Sequence, residues 1–501
     1  MIAAMRDLPQ ALYTAQAVRE LDRLALEQYG IAGLTLMTRA GEAVFRELRR
    51  RWPRARRVAV VCGAGNNGGD GFVVARLIYA ANLPVTVSLL GDAAQLNGDA
   101  RLAYEAMTSA GLNAELFSAD AVRQADVVVD ALFGTGLDRE PRGLYLEAIT
   151  AINNSAVPVI AVDIPSGLHA DTGAVLGAAV RARVTVSFIG LKQGLFTGEG
   201  PEQCGEIVFD DLAISPEAYN HIAPTALLTN NDELAARLPR RDRTAHKGSH
   251  GHVLIVGGDA GMAGAARMAA QAAARVGAGL VSIATHPRHA AFCAAVQPEI
   301  MCHAVADGHD LRSLLQRVSV VAVGPGLGTA AWGKSLFDTV LDSGLPLVVD
   351  ADALNLLAQD PARRHNWVLT PHPGEAARLL EMSVAEIQSD RFTAARALAA
   401  RYDGVAVLKG AGSLIAGTSG PVAVCGAGNP GMATGGMGDV LTGVIAGLIA
   451  QGLTIAEAAR LGVHLHARAG DAAACDGERG MLATDLLPKL RYWANPDLWN
   501  G

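Results

Sequence analysis

Three loops in the first half of the chain combine glycine with oxygen-bearing side chains. GAGNNGGDG, Gly63 to Gly71, follows the β-branched run RVAVVC and precedes a helical pattern. Gly63, Gly65 and Gly68 satisfy G-x-G-x-x-G, and the free N–H groups at a helix start attract phosphate. The insert says more than the bare fingerprint. Asn66, Asn67 and Asp70 bring carbonyl and carboxylate oxygens that suit a hard cation or sugar hydroxyls; Asp70 as a simple helix cap is the plainer alternative. VVVDALFGTGLDRE carries Asp130 and Gly134 to Glu140, and AVDIPSGLHADTG carries Asp163 and Ser166. Ligands of open parallel sheets sit beyond the carboxyl ends of strands, so the three loops are expected to converge on one crevice. Each carboxylate taken alone also reads as a cap.

The second half has its own set. In GNPGMATGGMGDVLTGVIAGL a glycine run ends at Gly438–Asp439 and opens into an apolar helix. Backbone N–H groups there form an anion hole for a transferring phosphoryl group, with Asp439 placed as base or, more plainly, as N-cap. VLKGAGSLIA supplies Lys409 and Ser413, LTPHPGEAARLL supplies His372 and Glu375 at a helix start, and GPGLG and VVDADALN are further strand-end loops. Glu375 reads equally as a first-turn helix charge. Gly328 to Ser335 matches the Walker A pattern, and LPLVVD mimics its Walker B partner, ending at Asp350. In a true P-loop the glycine directly follows the strand and the lysine opens the helix. Here GPGL intervenes and Thr329 looks like the cap of an amphipathic helix, which puts Lys334 inside that helix on a solvent face.

These loops need strands to carry them. RVAVVC, VTVSLL, VVVDALF, VIAVDIP and RVTVSFIG alternate with helical patterns such as VVARLIYAANL (73–83) and DARLAYEAMTSAG (99–111), after two N-terminal helical patterns near 15–29 and 35–50. HVLIVGG, GLVSIAT, VSVVAVGPG, LPLVVDAD and NWVLTPHP restart the alternation, followed by three close strands over 404–425 and apolar helices near 438–451 and 455–470. The pattern predicts two α/β domains, each a mostly parallel sheet covered on both faces. A proline-bearing seam with the basic cluster RLPRRDRTAHKGSHG separates them, giving boundaries of 1–215, 216–240 (linker) and 241–501. Of 501 residues, 42 are Lys or Arg and 49 are Asp or Glu, a net charge of −7. An acidic chain disfavours nucleic acid and anionic membranes as partners. Six cysteines without a C-x-x-C pair read as buried free thiols, and no zinc spacing is present. Arg6 and Asp7 stand where a secretory leader needs apolar residues. No run is long and apolar enough for a membrane span, so a reducing cytoplasm is the expected compartment.

The motifs also carry a family resemblance. GAGNNGGDG, VVDALFGTGL and VDIPSGL resemble the NAD(P)H-hydrate epimerase domain. GGDAGMAGA, GPGLGT, VVDADALNLL, LTPHPGEA, VLKGAGS and TGGMGDVLTG resemble the ADP-dependent NAD(P)H-hydrate dehydratase domain. Their order and the chain length are similar to the bifunctional fusions of the two. The resemblance implies a Rossmann-like three-layer α/β/α sandwich followed by a ribokinase-like three-layer α/β/α sandwich. It implies that Asn66, Asn67, Gly68, Gly69, Asp70, Gly134, Thr135, Gly136, Leu137, Asp138, Arg139, Glu140 and Asp163 line the hydrated nicotinamide nucleotide. Asn67, Asp130 and Ser166 would hold a potassium ion, with Asp163 as the acid–base residue and Lys192 a weaker candidate. In the second domain Ala265, Gly328, His372 and Asp439 would contact the substrate. Lys409, Gly410, Ala411, Gly412, Ser413 and Gly438 would contact the adenine nucleotide. ADP as co-substrate, Mg²⁺, and a homo-oligomer complete the implication.

The implied chemistry is coherent. Damaged NADH or NADPH (NADHX or NADPHX) carries a hydroxyl at C6 of the reduced ring, and hydroxide leaves poorly at neutral pH. Phosphorylation makes a good leaving group, which the ring-nitrogen lone pair then expels. A kinase-like site thereby suits a net dehydration of one epimer, the S form, with Asp439 as base. The first domain would interconvert R and S so that neither is stranded. Two rivals remain at this stage: a ribokinase-like kinase of the hydroxymethylpyrimidine or hydroxyethylthiazole type, and a first domain that only binds.

Overall fold

The computed structural model describes residues 8–499 and separates into two compact units between Leu227 and Leu228. Arg6 and Asp7, read above against a leader, lie outside the described residues.

The first unit is built on a seven-stranded sheet in which every neighbouring pair is parallel. Its first strand in the chain, Val58–Cys62, lies between Val85–Leu89 on one side and Val127–Ala131 on the other. The strands Val159–Val162, Val184–Phe188 and Glu206–Asp210 extend the second side. Chain order reverses at Val58–Cys62, which opens a crevice above its carboxyl end. Both faces are covered: Val58, Val60 and Cys62 belong to one core, Ala59 and Val61 to the other. That is why these strands read as unbroken apolar runs. The expected three layers are present. One helix begins earlier than expected: Asn66–Ala80 starts inside the glycine motif, with Gly65 as N-cap. Asp70 is therefore an interior helical residue and not a cap. Gly68 tolerates its helical position because a Cβ there would collide with the Gly63 carbonyl. Close packing outweighs the roughly 1 kcal/mol that glycine costs a helix.

The second unit has seven parallel strands in the spatial order Met301–Ala304, Leu280–Thr285, His252–Val256, Val320–Val323, Leu347–Val349, Trp367–Leu369 and Val405–Leu408. Two antiparallel strands, Ser413–Ala416 and Val422–Cys425, continue it. Here too the first strand, His252–Val256, is where the order reverses. Helices Ala263–Val276 and Met437–Ala450 pack so closely that a Cβ on Gly443 would collide with the Ala269 carbonyl. That contact fixes the start of Met437–Ala450, and with it Asp439, one turn earlier.

Residues 216–240, read as a linker, are structured. They hold a 3₁₀ turn (Pro216–His221), a short strand (Ala226–Leu228) and a helix (Asn231–Arg237). Ala226, Leu228 and Leu234 are buried, so the segment contributes apolar surface that a solvated linker would not. All six cysteines are free, and four are buried. Among the described residues no helix is long and apolar enough to cross a membrane.

Candidate functional site

In the first unit, Asp130 is the penultimate residue of strand Val127–Ala131 and is wholly buried. It accepts hydrogen bonds from Ser166 Oγ (2.6 Å), the Ser166 N–H (2.8 Å) and the Leu132 N–H (3.3 Å). Ser166 Oγ in turn accepts from the Phe133 N–H at 2.9 Å. Two strand-end loops are thereby stitched together. Burial pushes the Asp130 carboxyl up to about 6, and the Ser166 hydrogen bonds oppose it. Asn67 is buried in the first turn of its helix, with Nδ2 lacking a hydrogen-bond partner. The Gly134 backbone lies against it: a Cβ on Gly134 would stand 3.3 Å from Asn67 Oδ1. The three expected ion ligands thus come from a helix start, a strand and a strand-end loop, with Asp130 and Ser166 in direct contact. No group of three His, Cys, Asp or Glu residues suited to a metal exists among the described residues.

Asp163 follows strand Val159–Val162 and is held at φ +68°, a conformation that costs a non-glycine residue energy and clusters at functional sites. Its carboxylate forms an ion pair with Lys192, whose ammonium also donates to Ser187 Oγ (3.2 Å) and the Phe188 carbonyl (3.0 Å). Lys192 is 1% exposed. The sequence ranked it second, yet it is the direct partner of the best acid–base candidate. Two more carboxylates act on the pair. Burial raises Asp70 well above its ordinary range, and the charges of Asp163 and Asp22 add to that. Asp22, which sequence reasoning passed over, is raised to about 6 by burial, against the pull of Lys192. The 134–140 loop is less enclosed: the Thr135 carbonyl meets Arg19 at 3.5 Å, and Gly136, Asp138, Arg139 and Glu140 are exposed.

In the second unit Asp439 is the third residue of helix Met437–Ala450, whose N-cap is Gly436, so it is not the cap itself. Burial and the nearby Asp350 charge push it up to about 7, and Lys409 opposes them. Lys409 follows strand Val405–Leu408, and its ammonium bonds Asp350 Oδ1 at 2.8 Å and lies 3.9 Å from Glu375 Oε2. Thr442 Oγ donates to Asp350 Oδ2 at 2.8 Å. Burial raises Asp350, but the Lys409 charge and these hydrogen bonds win, and its net shift is downward. A Cβ on Gly438 would stand 3.1 Å from Lys409 Nζ, so the ammonium sits directly against the glycine turn. Sequence reasoning put the whole of Lys409 with the nucleotide; its charge is engaged in this carboxylate cluster.

The surrounding loops are braced. Arg391, itself 1% exposed, donates to the Leu408 and Lys409 carbonyls at 3.2 Å each and supports the Lys409–Ser413 turn. Ser413 Oγ donates to the Gly410 carbonyl at 3.1 Å. His372 caps helix Pro373–Leu380: its Nδ1 accepts from the Gly374 N–H (2.9 Å), and its own N–H donates to Glu375 Oε2 (2.8 Å). Burial lifts Glu375 to about 7, with Lys409 pulling the other way. Gly328 donates its N–H to Asp352 Oδ2 at 2.8 Å, and Ala265 stands beside Gly326 in the same loop. Lys334 is on the surface of helix Ala331–Leu341, paired with Asp338 at 3.0 Å. The helix is capped by Ala330 instead of Thr329. Arg391 left no signal in the sequence, where it follows Asp390 as an ordinary first-turn residue.

The comparisons agree with this division. The family described as YjeF-related protein N-terminus matches residues 33–194, and that described as NAD(P)H-hydrate dehydratase matches 253–491. A solved ADP/ATP-dependent NAD(P)H-hydrate dehydratase from Bacillus subtilis is 30% identical and covers 53% of this chain and 98% of its own, with a TM-score of 0.47. The bifunctional NAD(P)H-hydrate repair enzyme Nnr of Coxiella burnetii is 51% identical over 97% of this chain and 99% of its own. That of Escherichia coli is 44% identical over 98% and 95%. Likeness at this level along nearly the whole length of both chains means that this chain belongs to the family of bifunctional NAD(P)H-hydrate repair enzymes.

Proposed function

We propose that the chain repairs hydrated NADH and NADPH in two steps, one per unit. The first unit epimerises the R and S hydrates at C6; the second dehydrates the S form, with ADP as phosphoryl donor. The observation that carries the second step is the Asp439 carboxyl, held near 7 beside Gly438 at a helix start. A base poised there takes the C6 hydroxyl proton as the oxygen attacks the phosphoryl group. The N–H groups of the Gly435–Gly438 turn receive the phosphoryl oxygens, with Lys409 close behind Gly438. The ring-nitrogen lone pair then expels phosphate to leave an N1=C6 iminium, and loss of a C5 proton restores the dihydronicotinamide. Ala265, Gly328 and His372 are assigned to the substrate, and Lys409 to Ser413 with Gly438 to the nucleotide.

Mg²⁺ commonly binds through one or two carboxylates plus substrate phosphates, so a dedicated protein cage is not required. Asp350 and Glu375 are the carboxylates gathered at Lys409 and Gly438 that would hold it, and it would neutralise charge on the transferring phosphoryl group. In the first unit, Asn67, Asp130 and Ser166 fit a potassium ion. Asp130 is a buried carboxylate balanced by hydrogen bonds alone, and the Asn67 amide is left partly unsatisfied. The ion would supply the missing positive charge and tie the loops. Asp163, paired with Lys192, moves the proton, and Asn66 to Asp70 with Gly134 to Glu140 line the nucleotide. We place the chain in the cytoplasm.

The test is incubation of the whole chain with mixed hydrate epimers, ADP and Mg²⁺, following the near-ultraviolet absorbance of restored dihydronicotinamide. Complete conversion of both epimers with release of free phosphate is expected. A stable phosphorylated product would overturn the reading in favour of a simple kinase.

A further inference from the structure

In the second unit, strand Leu347–Val349 lies between Val320–Val323 and Trp367–Leu369 and runs straight into helix Ala351–Gln359. Two carboxylates stand at this junction, and they serve different loops. Asp350, 1% exposed, accepts from Lys409 Nζ on one oxygen and from Thr442 Oγ on the other, both at 2.8 Å. Thr442 follows Asp439 by three residues on the same helix. Asp352, half-buried, accepts the Gly328 N–H on Oδ2 at 2.8 Å. Between the two, Ala351 is held at φ +49°, a left-handed conformation that costs a residue with a Cβ energy. Asp350 is the N-cap of the helix, yet its side chain accepts no capping hydrogen bond, so its carboxylate is committed to the site.

The loop that Asp352 grips is closely fitted. A Cβ on Gly324 would collide with the Asp350 carbonyl and stand 3.1 Å from the Ala353 Cβ. The Leu327 N–H bonds the Gly324 carbonyl at 3.0 Å. The Gly328 carbonyl packs against Gly333 of the next helix. Residues 350–353 thereby hold the 324–328 loop at both ends, by backbone packing at Gly324 and by the carboxylate at Gly328.

We infer that Asp352 is a positioning residue for dehydration: through its bond to the Gly328 N–H it sets where the substrate-side loop stands relative to the centre that Asp350 ties to Lys409 and Thr442. The inference rests on the assignment of Gly328 to the hydrated nucleotide and of Lys409 to Ser413 to the adenine nucleotide. In phosphoryl transfer the attacking oxygen must meet phosphorus in line, and a misplacement of about 1 Å can cost about 10²-fold in rate. Two substrates held by separate loops need a rigid link. Residues 350–352 provide it: a strand fixes one end, a helix fixes the other, and one carboxylate reaches each side. A charge-assisted hydrogen bond is about twice as strong as a neutral one, which suits a carboxylate on a backbone N–H. Asp352 acts through Gly328 and takes no proton.

The test uses the whole chain carrying Asp352→Ala or Asp352→Asn. Dehydration of the S hydrate gives kcat/KM, and calorimetric titration with ADP and Mg²⁺ gives the nucleotide affinity. Asp352→Ala should lower kcat/KM for the hydrate by about 10²-fold and leave ADP affinity within about twofold. Asp352→Asn keeps an accepting oxygen, so kcat/KM should return to within about fivefold of the wild type. Both variants lose the same charge at the helix start, so a merely structural role would affect them alike. An unchanged kcat/KM in Asp352→Ala would overturn the inference, as would equal losses in the two variants or weakened ADP binding. Gly328→Ala, run alongside, separates two failures. Its methyl would crowd Asp259 Oδ2 at 2.9 Å and disturb the loop, so kcat/KM should fall. If it falls while Asp352→Ala is unchanged, only the role of Asp352 fails. If Gly328→Ala keeps the wild-type value, the hydrate is not bound at Gly328 and the reading of the site fails with it.

Discussion

Both proposed reaction centres set a carboxylate near a lysine, Lys192 buried and Lys409 half-buried, but they connect the pair differently. In the first unit Lys192 bonds Asp163 directly. In the second, Lys409 bonds Asp350, and Asp439 feels the ammonium only through space. The difference fits the two proposed reactions. As the proposed base, Asp439 would take a proton from an alcohol as that alcohol becomes a phosphate ester, and a carboxyl near 7 is matched to the task. Epimerisation returns every proton it takes, so its carboxylate works beside a fixed cation, with other carboxyls near. Direct pairing would have pulled Asp439 down toward an ordinary carboxylate and weakened it as a base.

The strongest way to break the comparison is to remove each carboxylate in turn. Asp439→Asn is expected to lower dehydration by about 10²–10⁴ and leave epimerisation intact. Asp163→Ala is expected to do the reverse. Rates on separated epimers check both, and loss of both activities in either variant would end the two-centre account. Next in size is Lys409→Met. Removing the cation leaves Asp350 and Glu375 buried without their shared partner, which costs about 3–5 kcal/mol. Calorimetry should show the second unit melting earlier while the first is unchanged.

The pH dependence sharpens the same contrast. If Asp439 is the base proposed above, its ionised form is the active one, and dehydration should rise with pH and level off above about 7. Glu375 titrates in the same range, so the limb belongs to the coupled cluster. Stability runs the other way. A carboxyl whose folded value is raised stabilises the fold below its unfolded value, and that contribution is lost as pH rises toward 7. The second unit should be more stable at pH 5 than at pH 8 on this account. A dehydration rate that is flat from pH 5 to pH 8 would remove Asp439 as base. A smaller effect is expected for potassium. Added K⁺ in place of a bulky organic cation should raise the melting temperature of the first unit by a few degrees, and Asp130→Ala should abolish the gain.

The two units were not equally legible. The strand-end loops could be read because glycine, asparagine and aspartate cluster there for a reason local to the chain. The start of helix Asn66–Ala80 could not, since its glycines serve a tertiary contact that propensity does not register. The structured segment over 216–240 was hidden by prolines and by the basic run beside it, while Ala226, Leu228 and Leu234 carry its burial. Asp22 left a signal, a carboxylate inside an apolar stripe, that a search for motifs passes over. The pairing of Lys409 with Asp350 links positions 59 residues apart, and no spacing announces it.

The smallest expected effect is the one that separates the working lysines from the decoy. Lys334 completes a Walker A pattern, but it is the fourth residue of helix Ala331–Leu341 and its side chain is 53% exposed. A P-loop lysine must stand at the helix mouth, aimed at phosphate. Lys334 instead pairs along its own helix with Asp338, itself 51% exposed, and such i,i+4 surface pairs contribute about 0.3–0.5 kcal/mol. Lys334→Ala should therefore change stability by less than about 0.5 kcal/mol and leave both activities at wild-type rates. Lys409, by contrast, is in contact with buried carboxylates behind Gly438, where the phosphoryl group is proposed to arrive. If Lys334→Ala abolished dehydration in a chain that melts normally, the phosphate would have to lie at Gly328–Ser335, and the assignment of Gly438 and Asp439 would fall with it.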